Sequence, residues 1–149
     1  MIHRRGFLIA IGATGLSACV GAPKPAMVTV ALKGEAGMNK GPDGTDRPVT
    51  VLILRLKSLG AFNSADYFAL QGDPSAALGA DLVGLDRIAV APGASTSKTI
   101  GFEPEAPYMG VVALVREPDG RNWRASSPVN PKSKVTKNVT LGPGGLSLG

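Results

Sequence analysis

One histidine, one cysteine and one tryptophan are all that 149 residues hold of those types, beside two tyrosines and four phenylalanines. The histidine is His3 and the cysteine is Cys19, so the chain beyond residue 19 has neither the commonest general base nor a thiol. A single cysteine forms no internal disulfide. Hydroxyls and carboxylates alone do not assemble a nucleophilic triad, and Ser126 and Ser127 show no partner base in the sequence. Asp43 and Asp46 in "GPDGTD" lack the alternating oxygen ligands and closing Glu of a calcium loop and read as turn residues. Asp66, Asp73, Asp81 and Asp86 read as helix caps and solvated charges. The inventory counts against an enzyme, a metal centre and any cofactor. No apolar stretch reaches the roughly 20 residues that a membrane-spanning helix needs. Lys132, Lys134 and Lys137 cluster in "NPKSKVTKN", but with no interleaved aromatics to stack on bases they read as solvated charges, not as a nucleic-acid surface. Trp123, the lone tryptophan, reads as core and not as a ligand platform.

What is present begins with an ordered N-terminus. Arg4 and Arg5 precede an apolar segment from Gly6 to Leu16 and the small residues Ser17 and Ala18, the order of a secretory signal. Leu16, Ser17, Ala18 and Cys19 resemble the lipobox of bacterial lipoproteins, in which the cysteine sulfur is acylated and becomes the new N-terminus. That resemblance implies a signal peptide over 1–18 and lipidation at Cys19; the alternative is an ordinary signal peptide and a free thiol. Each buried methylene of an acyl chain contributes about 0.8 kcal/mol, so two or three chains anchor a protein durably. Val20 stands where many inner-membrane lipoproteins carry Asp, which implies the outer membrane. Arg4, Arg5, Phe7 and Leu8 also resemble a twin-arginine export core, although His3 and Ile9 replace the usual flanks. Both export routes lead out of the cytoplasm. Removing residues 1–18 takes two of the 16 Lys and Arg and none of the 11 Asp and Glu, leaving a charge of about +3.

Residues 19–25 read as lipid anchor and Pro-containing tether, 26–142 as one domain, and 143–149 as a flexible tail. "MVTVALKG" alternates apolar and polar side chains as a half-buried strand does. "PVTVLILRLKS" is apolar on both faces and reads as a central strand, as does the segment from Tyr108 to Val115. Between the first two strands, "EAGMNKGPDGTDR" (35–47) is a long connection rich in Gly, Asp and Asn, too long for a hairpin turn. A helical insert is expected at about 60–85, with Asn63 or Ser64 opening one helix and Asp73 with Pro74 opening the next. Further short strands are expected at 87–93, 97–103, 107–117, 122–129 and 134–142, each bounded by Pro or Gly. Their spacing favours an antiparallel sandwich.

Taken together, "PVTVLILRLKSLGAFNSADYFAL", "LGADLVGLDRIAVAPG" and "YMGVVALVREPDGRNWRA" resemble the outer-membrane lipoprotein of type VI secretion systems, the TssJ family (VasD/SciN-like). The likeness runs over roughly residues 38–125, and the lipobox agrees with it independently. It implies a mainly β, transthyretin-like antiparallel β-sandwich with a small inserted helical segment, lipid-anchored in the outer membrane and facing the periplasm. It implies a component of the envelope-spanning membrane core complex, one that binds the periplasmic C-terminal domain of the TssM-like inner-membrane protein. No catalysis, small-molecule substrate or nucleic acid belongs to that role. In the family the loop joining the first two strands takes part in the partner contact. Here that points to Met38, Asn39, Lys40, Asp43 and Asp46, with Met38 as an apolar anchor, and replacing 37–45 by a Gly/Ser linker is expected to spare stability. The alternative is a lipid-anchored periplasmic ligand-binding sandwich, for which exposed aromatics are scarce.

Overall fold

A computed structural model describes residues 24–130 and 134–149. The signal segment, Cys19 and Lys132 lie outside the described residues.

Eight strands form two four-stranded sheets packed face to face, a mainly β sandwich with a small helical insert. Strand β1 is Ala26–Gly34, β2 Val49–Leu56, β3 Leu82–Val90, β4 Ser95–Phe102, β5 Tyr108–Leu114, β6 Arg124–Pro128, β7 Lys134–Gly142 and β8 Gly145–Leu148. One sheet runs β4-β1-β7-β8 and the other β3-β2-β5-β6. Every pair is antiparallel except β1 with β7, which run parallel, Met27 opposite Lys134 through Gly34 opposite Leu141.

The two-faced strands explain the layering. Val49, Val51 and Ile53 of β2 join Val28, Val30, Leu32, Val111 and Leu141 between the sheets. Its other face, Leu52, Leu54 and Leu56, joins Phe62, Leu70, Leu78 and Val112 beneath the insert. Burying both faces of one strand forces a third layer, and helices α1 (Gly60–Ser64), α2 (Tyr67–Gly72) and α3 (Pro74–Leu78) with a 3-10 turn (Gly79–Asp81) supply it. Asp66 caps α2, its carboxylate accepting from the Ala69 N–H at 2.8 Å, and Asp73 caps α3 through Ala76 at 3.2 Å with Pro74 in the first turn. The cap expected at Asn63 or Ser64 therefore lies at Asp66. Asn63 and Ser64 are instead the last residues of α1, which no side chain caps.

Two further boundaries differ from expectation. The insert ends at Asp81, and β3 begins at Leu82, five residues before Arg87. Its first half is obscured in the sequence because Gly84 lies beneath Arg55: a Cβ there would sit 1.7 Å from the guanidinium, so only glycine lets Arg55 cross the strand. From that position Arg55 pairs with Asp86 (3.3 Å) and lies 3.2 Å from Glu103, out of line for a hydrogen bond; Lys98 of β4 reaches Asp86 at 3.1 Å. This chain of four charges straps one open side of the sandwich.

The C-terminal tail is corrected as well. Residues 145–148 form β8, paired with β7 from Gly142 opposite Gly145 to Val139 opposite Leu148. Leu146 is 3% exposed and joins the inter-sheet core. In "GPGGLSLG" the glycines dominate the composition, but Leu146 and Leu148 at spacing two are an edge-strand pattern.

Candidate functional site

The connection between β1 and β2 is an ordered excursion with a braced stem and an exposed tip. Both carboxylate oxygens of Asp46 are used inside it, accepting from the backbone N–H of Gly37 (2.6 Å) and of Asn39 (2.8 Å). These bonds hold the Asp46 carboxyl below its usual 3.8, the Asn39 N–H contributing most and Gly37, Arg47 and the nearby Lys40 charge adding to it. The Arg47 N–H returns to the Asn39 carbonyl at 3.0 Å, closing the stem. At the tip, Gly44 takes a positive φ of 79°, and its N–H donates to the Gly41 carbonyl. Asp43 accepts from the Thr45 N–H at 3.0 Å, the main cause of its own lowered pKa, and lies 3.4 Å from Arg47.

Of the five residues expected to meet a partner, two are set inside the protein. Met38 is 1% exposed and belongs to the inter-sheet core. Asn39 is 6% exposed; its amide donates to the Pro48 carbonyl (3.1 Å) and accepts from the Arg116 N–H (2.8 Å). Met38 is thus no surface anchor. The one large apolar side chain in a polar loop marks where the loop enters the core. Nor are residues 37–45 a dispensable segment, because a short Gly/Ser linker would remove the Met38 core side chain and the Asn39 side-chain bonds and displace the N–H groups that Asp46 holds. Asp46 is half-buried and engaged, while Lys40 and Asp43 stand on the exposed tip.

The loop does not stand alone. Arg121, in the segment between β5 and β6, donates to the Met38 carbonyl at 3.2 Å. A few residues away, Tyr67 donates its hydroxyl to the Val115 carbonyl, and burial raises its pKa. Its ring meets Trp123 edge-on at 5.3 Å, and the Arg124 guanidinium lies 4.5 Å over the Trp123 ring. Arg124 also donates to the carbonyls of Phe62 (2.8 Å) and Ala65 (2.6 Å), pinning the insert to the sheet. Trp123 accordingly packs against both apolar layers. These positions were not singled out as site residues from the sequence, although "NWR" two residues after a Gly turn is where they could have been sought.

Three residues further along β6 from Arg124, Lys137 of β7 donates to the Ser127 hydroxyl at 2.8 Å, and Ser127 donates onward to the Pro128 carbonyl. Ser127, for which no partner base was expected, thus has a lysine partner that donates to it and does not accept its proton. Among the described residues no group of three or more His, Cys, Asp and Glu could hold a metal ion.

The family model described as "Type VI secretion lipoprotein, VasD, EvfM, TssJ, VC_A0113" matches residues 26–144. The chain belongs to this family. The match covers seven of the eight strands, the insert and the braced loop, and the family is one of type VI secretion lipoproteins, not an enzyme family. Among solved structures, the type VI secretion lipoprotein TssJ1 from Pseudomonas aeruginosa is 28% identical with a TM-score of 0.78, over 84% of this chain and 95% of that one. Serratia marcescens Lip, a membrane-bound component of the type VI secretion system, gives the same TM-score at 24% identity over 85% and 98% of the two chains. A chain in a structure of a type VI membrane complex shares the fold, with a TM-score of 0.73 at 24% identity over 83% and 98%. No curated protein matches the chain by sequence.

Proposed function

We propose that this type VI secretion lipoprotein is held by acyl chains on Cys19 in the outer membrane, faces the periplasm, and binds the periplasmic C-terminal domain of the TssM-like inner-membrane component without catalysing a reaction. One observation carries the reading: β1 joins the anchor to the loop. The tether ends where β1 begins at Ala26, and the braced loop starts where β1 ends after Gly34. Nine residues at about 3.3 Å each put roughly 30 Å between them, so a lipid at one end directs the loop away from its own membrane. The partner approaches from that direction. A rigid stem with an exposed tip suits such a contact, since ordering a floppy loop would cost binding free energy.

Calorimetric titration of residues 20–149 with the partner's periplasmic C-terminal domain tests this. Every strand of the fold lies within that span. Saturable binding, weakened by the tip double substitution Lys40→Glu with Asp43→Lys while the protein stays folded with a melting temperature only slightly below the parent's, is the expected result. Two folded proteins that do not bind would overturn the reading in favour of a ligand-binding lipoprotein.

A further inference from the structure

Phe68 is 72% exposed, and Met27, at 38%, is the other large apolar side chain left open among the described residues. Its exposure follows from helix geometry. Tyr67 and Leu70, three apart, turn the inner face of α2 into the core, and Phe68, about 100° round from Tyr67, is left pointing outward. The ring stands edge-on to Tyr67 at 5.4 Å, beside an open groove of about 400 Å³ lined also by Trp123, Pro118 and Asp119. Trp, Tyr and Arg are the residue types that dominate binding hot spots, and here they sit packed and held by hydrogen bonds next to an open Phe.

We propose that Phe68, at the edge of this mainly polar groove, is the apolar anchor of the partner contact, the role that buried Met38 does not fill. The proposal rests on the reading that the braced loop faces the TssM-like domain. The two surfaces are continuous. Residues 115–123 run between them, tied to the loop at Asn39 and Met38 and to the insert at Tyr67. The chain's own start is a poor occupant: five residues from Cys19 to Pro23 reach about 17 Å at most, against the roughly 30 Å length of β1. The groove takes one or two side chains, not a broad face. Its charge narrows the choice further. Arg124 is turned inward onto backbone carbonyls and the indole, while Asp66 and Asp119 stand exposed at the rim. The occupant is therefore a segment of the partner that presents an apolar side chain next to Lys or Arg.

Titrations of residues 20–149 with the partner domain separate this from the broader reading. Phe68→Ala is expected to weaken binding about tenfold or more, with the melting temperature within about 2 °C of the parent because the side chain is exposed. Phe68→Trp is expected to retain binding, and Asp119→Lys to weaken it more at low salt than at high salt. If Phe68→Ala binds as the parent does while the tip substitutions lose binding, the loop reading stands and this inference fails. If the free chain dimerises through Phe68, a second copy is the occupant and the inference is overturned. If the parent does not bind at all, both fall together.

Discussion

Asp46 shows how one side chain can hold a long loop in shape. Its two oxygens satisfy the N–H groups of Gly37 and Asn39, which the loop's turn would otherwise leave without partners. Because those bonds favour the charged form, the folded pKa lies below the usual 3.8 and the carboxylate stabilises the fold. That stabilisation is complete above the unfolded pKa and is lost as pH falls through the folded value. Melting curves from pH 7 down to pH 2.5 are expected to show it. Asp46→Asn should melt lower at neutral pH and decline less on acidification, the difference between the two proteins shrinking as pH falls through the folded pKa. Parallel curves would mean that the acid sensitivity comes from another group. Little of this was legible in advance. The sequence marks 35–47 as a loop through Gly, Pro and Asp, but whether its polar side chains turn outward or back onto the backbone depends on the backbone path. Asn39 and Asp46 bond to amides and carbonyls that only the folded chain brings near. Met38 is misread for the same reason, since isolation in a polar stretch fits an exposed anchor and a core plug equally well.

At the scale of the element, strands whose burial repeats a short period were readable, and the edge strands β4 and β6 were found to within two residues, but the start of β3 and all of β8 were not. β2 and β5 were legible because their apolar side chains fill both faces, a pattern that only a strand with neighbours on each face can satisfy. β7 was found with its bounds intact. The first half of β3 was hidden by Gly84, whose reason lies in Arg55 on the neighbouring strand. β8 was hidden by glycines that set its turn rather than fray it, for Gly145 takes a φ of 112° and Gly142 faces it across the hairpin. The assignment of β8 makes a direct prediction. Leu146 is buried between the sheets, so Leu146→Ala is expected to cost about 2–4 kcal/mol, read as a lower denaturant midpoint with an unchanged slope. A frayed tail would give no shift. The structure also explains why the edge matters, since the Leu146 N–H donates to the Asn122 carbonyl and ties β8 to the sheet that carries Trp123.

Across the whole molecule, one strand joins the end proposed to carry the lipid to the loop proposed to meet the partner. Parallel pairing of β1 with β7 and antiparallel pairing with β4 place β1 inside its sheet, with a neighbour on each side along nearly all its length. Force applied at the tether is then resisted by many backbone hydrogen bonds loaded together and does not peel off one edge strand. Such a strand is a suitable link between a lipid and a partner that pulls on the far side. Every element among the described residues begins at or after Ala26, so the fold is expected to form without the lipid. Cys19→Ser therefore separates anchoring from folding. Cells expressing it are expected to show no labelled fatty acid on the protein and to release it from the membrane to the soluble periplasmic fraction. The purified variant should match residues 20–149 in melting temperature and in affinity for the partner domain. Secretion is expected to fail all the same, since the partner would then hold a domain attached to no outer membrane. If the variant stays membrane-bound without the label, something other than Cys19 anchors it. If it is released and secretion continues, the load does not pass through β1, and the two-ended arrangement serves recognition alone.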